Sequence, residues 1–228
     1  AAMAENAARL DAIMLREVAD AAALAEVLQD KRINALCLGP AMGTGPRETA
    51  LLDAALRSRG AARLVLDADA LTILSRHPDL FATLNPTCVL TPHAGEFARL
   101  FPDIAEKLAA PAIRGPAYSK LDATREAATR AGCVLLFKGP DTVIADPTGR
   151  AAINAAVYDR AAPWLATAGS GDVLAGFITG LLARGFSPFD AACTGAWLHV
   201  EAARSFGPGL ISEDLTEELP KVFRALGL

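Results

Sequence analysis

The chain has 228 residues, with 22 Lys and Arg against 26 Asp and Glu, a net charge of −4 and 52% hydrophobic residues. That balance describes a soluble globular protein able to build one large α/β domain, and it argues against nucleic acid or an anionic membrane surface as partner. No apolar run approaches the ~20 residues of a membrane span. Glu5, Arg9 and Asp11 interrupt the N-terminus, so it is not a secretory signal. Cys37, Cys88, Cys133 and Cys193 stand alone in apolar runs, without a Cys-x-x-Cys pair or a histidine at metal-ligand spacing. Reduced thiols, a cytoplasmic location and no protein-only metal cluster are the expectations.

Taken in order, residues 1 to 11 read as a helical tail and Ala12 to Leu15 as a short strand. Asp20 caps an alanine-rich helix running to about Gln29. Asn34 to Leu38 is a buried strand entering the Gly39-Pro40 turn. Arg47 to Arg57 is helical, with Leu51, Leu52, Ala55 and Leu56 on one face. Arg63 to Leu66 is a strand closed by Asp67-Ala68-Asp69, followed by a helix to about Arg76. Cys88 to Leu90 is a strand ending in Thr91-Pro92-His93, with a short helix over Gly95 to Phe101. Strand, polar turn and helix thus alternate, which predicts βαβ units and a parallel sheet.

Residues 109 to 118 form a Pro/Gly-containing connection. Ser119 caps a helix to Arg130, and Val134 to Phe137 is a strand running into Lys138. Thr142 to Ala145 and Ala151 to Asn154 form a hairpin. Ala155 to Leu165 is a connecting loop. A helix then spans the GSGDVLAGFITGLL stretch, and two more cover Pro188 to Phe206 and Glu213 to Leu226. No internal repeat or low-complexity tract divides the chain, so one domain over 1–228 is expected.

The stretch Ala166 to Gly185 (ATAGSGDVLAGFITGLLARG) concentrates the candidate chemistry. Val173, Leu174, Phe177, Ile178, Leu181 and Leu182 recur at helical spacing. Gly169, Ser170, Gly171 and Asp172 therefore sit where a helix begins and its first amide groups lack internal acceptors. Glycines there admit an anion that the helix dipole favours, and Asp172 stands beside it as a carboxylate able to take or give a proton. A plain helix cap by Ser170 or Asp172 explains the same residues equally well.

Four strand ends add weight, because ligands of parallel sheets bind at carboxyl edges. They carry Gly39 to Gly45 (GPAMGTG), Asp67 to Asp69, Thr91 to Glu96 (TPHAGE) and Lys138 to Thr142 (KGPDT). Lys138 offers a point charge to a phosphate, or simply snorkels out of the sheet. Asp67 and Asp69 either cap the next helix or line the pocket. His77 reads as solvent-facing and His199 as a packed histidine with a satisfied hydrogen bond. The glycine spacing of GPAMGTG fits neither a dinucleotide fingerprint nor a P-loop.

In this order GPAMGTG, LVLDADAL, LTPHAGEFARL, LLFKGPDTVIADPTG and WLATAGSGDVLAGFITGLLARG resemble the ADP/ATP-dependent NAD(P)H-hydrate dehydratases, from about Cys37 to the C-terminus. The resemblance implies a ribokinase-like three-layer α/β/α fold with a mostly parallel sheet, here lacking the family's first strand-helix unit. It implies phosphorylation of the hydrate's hydroxyl followed by elimination. Lys138, Gly139, Pro140, Asp141, Thr142 and Gly171 would then contact the adenine nucleotide. Asp172 would be the acid/base, and Gly43, His93 and Asn154 would lie along the hydrated dinucleotide. ADP or ATP as co-substrate, Mg2+, a fused or separate hydrate epimerase and a homo-oligomer are implied as well. A ribokinase-fold kinase acting on a sugar or vitamin-precursor alcohol is the rival reading, and a nucleotide-binding module without activity is another.

Overall fold

The computed structural model describes residues 2–58, 62–113 and 115–228; residue 1 of the N-terminal tail and position 114 of the 109–118 connection lie outside them. The elements are α1 (Ala2–Ala7), α2 (Ala21–Val27), β1 (Ala35–Leu38), α3 (Pro46–Arg57), β2 (Arg63–Leu66), α4 (Ala68–Arg76), α5 (Pro78–Phe81) and β3 (Cys88–Leu90). They continue with α6 (Ala94–Leu100), α7 (Pro102–Ala109), α8 (Lys120–Ala131), β4 (Val134–Phe137), β5 (Asp141–Ala145), β6 (Ala151–Ala155), α9 (Ser170–Ala183), α10 (Pro188–Phe206) and α11 (Asp214–Ala225).

One six-stranded sheet has the order β1-β2-β3-β4-β5-β6. The first four strands run parallel, and β4, β5 and β6 are antiparallel neighbours. Period-two alternation divides each central strand between two cores. Leu64, Leu66, Cys88, Leu90, Leu135 and Phe137 face helices α2 to α8, where Phe137 stacks on Phe97 at 4.2 Å. Val65, Val89, Val134 and Leu136 face Leu174, Ile178 and Leu182 of α9 and Ala191 and Ala192 of α10. A third cluster joins α10 to α11 through Leu198, Ala202, Leu215 and Val222. The result is three layers, helix on sheet on helix, as the sequence pattern implies.

Two expectations about the first strands need correction. Ala12 to Leu15 is not a strand: Ile13 is 70% and Met14 97% exposed, and no sheet neighbour is there to pair with them. The Asn34 to Leu38 run does form β1, but it is half-buried throughout because it has only one strand partner. Two short helices, α5 and α7, went unread. Each opens on a proline at its first turn, a position that suits helix initiation as well as it marks a loop.

The carboxyl ends of β1 to β4 share one edge, and backbone contacts carry the ladder past them. Asp67 N–H donates to Leu38 O, Thr91 N–H to Leu66 O and Lys138 N–H to Pro92 O. Gly39 lies so close to the Asp67 carbonyl that a Cβ would sit 1.7 Å from its oxygen, and its φ is +128°. Only glycine lets these two turns pack, so β1 and β2 end in register.

Candidate active site

Asp67 is the residue that organises the strand-end edge. It is 1% exposed and makes no capping bond to the helix that follows, so the capping alternative is overturned for it. Its Oδ1 instead accepts from Lys138 Nζ at 2.8 Å, joining β2 to β4 across β3. Glu96, also buried, places Oε2 3.9 Å from the same ammonium. Lys138 therefore does not snorkel into solvent. A buried carboxylate with a lysine partner is retained only where pairing offsets its desolvation.

The N-terminus of α9 meets this pair. A Cβ at Gly171 would lie 3.3 Å from Lys138 Nζ and 3.9 Å from Asp67 Oδ2. Ser170 N–H donates to Thr167 O, and Val173 N–H to Gly169 O. The amides of Gly171 and Asp172 find no protein acceptor among the described residues. Two orphan donors at the positive end of a 14-residue helix make an anion site beside an ammonium. Ser170 is not the cap: its hydroxyl donates to Leu165 O, and the capping position is Gly169.

Asp172 is exposed at the same helix mouth. Partial burial raises its pKa above the ordinary carboxylate value, the Asp67 charge adds to the rise, and Lys138 opposes it. Such a carboxylate is a better proton acceptor than a free one.

A cavity of about 520 Å³ opens on one side of this constellation. Its polar lining includes Lys138, Thr142, Asn154, Ser170 and His199, and its apolar walls include Pro140, Ala156, Ala162, Pro163, Leu165, Leu174, Ala196 and Val200, with Gly139 and Gly171 also lining it. An apolar chamber with a few convergent polar groups is the ordinary form of a small-molecule site. Asn154 is held by Nδ2 donating to Ala196 O, while Arg160 donates to its Oδ1. His199 Nε2 lies 2.9 Å from Ser170 O, and burial pushes its pKa down to about 4, so the ring stays neutral. That is the packed, satisfied histidine its sequence context suggests.

On the other side the edge is open. His93 caps α6, its Nδ1 accepting from Gly95 and Glu96 amides while Glu96 Oε2 accepts from His93 N–H. Its side chain is 56% exposed. Gly43 N–H donates to Asp69 Oδ2 at 2.8 Å, so Asp69 ties the GPAMGTG turn to the start of α4. The structure thus gathers Lys138, Gly139, Pro140, Thr142, Gly171 and Asn154 around one cavity and leaves Gly43 and His93 on the open rim. Asp172 stands at the seam next to Gly171. Asp141 is drawn away from the cavity and pairs with Lys120 at 2.9 Å. Asp67 is the residue that the sequence leaves open as a cap or a pocket residue, whereas Glu96 and Lys120 are not singled out there. Only the GE of TPHAGE hints at Glu96.

The sheet order, the three layers and a helix N-terminus placed at the strand ends define a ribokinase-like α/β protein. A ribokinase-like superfamily protein of Enterococcus faecalis superposes with a TM-score of 0.67 at 23% identity, over 89% of this chain and 66% of that one. The sequence model of the NAD(P)H-hydrate dehydratases matches residues 1–221, and the chain belongs to that family. The bifunctional NAD(P)H-hydrate repair enzyme Nnr of Mycobacterium leprae is 41% identical over 172 residues, 75% of this chain and 33% of its own length. The ADP-dependent (S)-NAD(P)H-hydrate dehydratase of Neisseria meningitidis is 38% identical over 178 residues, 75% of this chain and 54% of that protein. The Bacillus subtilis ADP/ATP-dependent NAD(P)H-hydrate dehydratase, crystallised with ATP and Mg2+, superposes with a TM-score of 0.67 at 26% identity, over 84% of this chain and 66% of that one. The chain spans about a third to a half of the length of these curated relatives. Among the described residues no helix is long and apolar enough to cross a membrane.

Proposed function

We propose that the site dehydrates (S)-NAD(P)H hydrate at the expense of ADP or ATP. The observation that carries this reading is the junction of an apolar cavity, a pair of helix N-terminal amides without a protein acceptor among the described residues, and a carboxylate of raised pKa. The cavity takes the adenosine part of the nucleotide. The Gly171 and Asp172 amides, with Lys138, hold its phosphates where negative charge builds up in transfer. The hydrated nicotinamide lies on the open rim along Gly43 and His93, with its hydroxyl toward Asp172.

Asp172 takes the hydroxyl proton as the hydroxyl oxygen bonds to the terminal phosphorus and the bond to the nucleotide's leaving phosphate breaks. Loss of the new phosphate ester, together with a proton from the neighbouring carbon, restores the ring double bond and releases NADH or NADPH. Asp67 keeps Lys138 in place and makes Asp172 more basic. Among the described residues no three His, Cys, Asp or Glu side chains converge on a metal position. That donor set suits Mg2+ carried on nucleotide phosphates and water, not an all-protein cage. Bound there, Mg2+ supplies charge neutralisation on the phosphates.

The same reading covers a single dehydratase domain over 1–228, a cytoplasmic location and a homo-oligomer, and the bifunctional relatives support an epimerase partner. Asp172→Asn is the test. Turnover of the hydrate drops by more than ~100-fold, the scale of losing a positioned acid/base, while ADP and ATP still bind. An Asp172→Asn protein of near-normal rate contradicts the assignment. ADP release on a panel of sugars and vitamin-precursor alcohols, with no action on the hydrate, would establish a kinase instead.

A further inference from the structure

We propose that Lys120 is a positioning residue for the nucleotide: it grips the 138–142 turn from outside and fixes the direction of the Gly139 amide. The proposal rests on the nucleotide reading of the cavity.

Lys120 is the first residue of α8, and a cation in a first turn opposes the helix dipole. Something else must hold it there. Its Nζ donates to Asp141 O at 2.8 Å, to Asp141 Oδ1 at 2.9 Å and to Lys138 O at 3.3 Å. The ammonium also lies 4.6 Å from the centre of the Phe137 ring, a cation–π distance that fixes the side-chain stem. The side chain is only 19% exposed. These contacts place one cation against the backbone of a single turn, at two of its carbonyls.

The other carbonyls of the turn are occupied too. Gly139 O accepts from Thr142 Oγ1 at 2.9 Å, and Pro140 O accepts from Ala156 N–H at 2.7 Å. The Gly139 amide, in contrast, has no protein acceptor among the described residues. A trans peptide points its carbonyl and its N–H in opposite directions, and no peptide bond here is cis. With Lys138 O turned to Lys120, the N–H of the same peptide must point away from Lys120. Lys138, Gly139 and Pro140 line the cavity, and Lys120 is not part of its lining. Lys120 thereby converts a flexible Lys-Gly peptide into a fixed donor for an anion.

Gly139 is matched to this arrangement. A Cβ there would lie 2.6 Å from Lys120 Nζ, so any side chain would displace the lysine. The pairing also cancels the charge of Asp141, which would otherwise repel the phosphates that the turn is built to receive. Asp141 thus acts through Lys120 and does not touch the nucleotide itself.

The test uses the whole protein, with ADP and ATP titrated by calorimetry, steady-state kinetics on the hydrate, and a thermal midpoint to verify folding. Lys120→Met keeps the stem on Phe137 and removes the ammonium. The expected result is a rise of about tenfold in nucleotide Kd and KM, the scale of a lost charge-assisted hydrogen bond, with kcat within about twofold. Unchanged nucleotide binding, or a loss confined to kcat, overturns the proposal. Should Lys120→Met fail to fold, Asp141→Asn carries the test, since it leaves the lysine charge uncancelled and is expected to tighten nucleotide binding about threefold. Weaker binding in Asp141→Asn would make Asp141 a direct ligand and sink the idea. A wild-type protein that binds no adenine nucleotide overturns the functional reading and this proposal with it. Wild-type binding with an indifferent variant overturns the proposal alone.

Discussion

The two sides of the strand-end edge are built by different means. The cavity side is a partly open chamber between the β5–β6 hairpin and helices α9 and α10, walled by alanines, Pro163, Leu174 and Val200. The rim side is a pair of turns after β1 and β3, held by an Asp69–Gly43 bond and a His93–Glu96 capping box, with His93 half in solvent. The first has its volume before any ligand arrives. The second offers polar groups without a wall behind them. Packing thus prepares one binding partner, while the other must bring much of its own ordering, with the Asp67–Lys138 pair as the fixed boundary between them.

That contrast can be broken from either side. The largest effect is expected from filling the chamber. Ala196→Leu adds three carbons at a site 2% exposed, and overpacking costs of roughly 1–3 kcal/mol would appear as a tenfold to hundredfold loss of nucleotide affinity. The hydrate KM should stay near wild type. Equal losses for both ligands would show that the two sides are not separate.

Acid should loosen the chamber. His199 sits in its wall with a pKa lowered to about 4 from an ordinary 6.5 by burial. The unfolded chain therefore takes the proton first, and stability is lost as pH falls from about 6.5 to about 4. The full loss is about 3 kcal/mol. Urea unfolding across that window measures it, and a flat profile would contradict a neutral buried ring.

A smaller shift is expected at the boundary. Asp67→Asn removes the charge that raises Asp172 and frees Lys138 to lower it further. The acid limb of kcat/KM should then move to lower pH. No movement would mean that Asp172 does not sense the pair.

The smallest effect belongs to the rim. His93→Ala loses the cap of α6, worth about 1 kcal/mol of stability. It should weaken the hydrate and leave the nucleotide untouched.

Much of the fold was written in local patterns. The α3 face of Leu51, Leu52, Ala55 and Leu56 is buried as its spacing predicts, and Ser119 caps α8 with a full capping box. The GSGD helix mouth and the KGPDT turn were likewise visible, because glycines beside charged residues at element boundaries are local signals. The AIML run misled because hydrophobic composition does not provide a strand neighbour. What stayed hidden was non-local. Nothing in the chain announces that Lys138 and Asp67, 71 residues apart, form the central pair. Lys120 looks like any solvated lysine on a helix until the turn it grips comes into view. Asn154 fell among the hydrate's residues by resemblance, while its side chain bonds into the chamber wall at Ala196.

The central claim is that one site joins a nucleotide chamber to a hydrate rim through Asp172. The most direct measurement follows the reduced-nicotinamide absorbance of purified NAD(P)H hydrate mixed with the protein, with and without ADP or ATP. The account predicts recovery of that absorbance only when nucleotide is present, with one phosphate released per dihydronicotinamide formed. Recovery without nucleotide, or nucleotide turnover that leaves the hydrate unchanged, would contradict it.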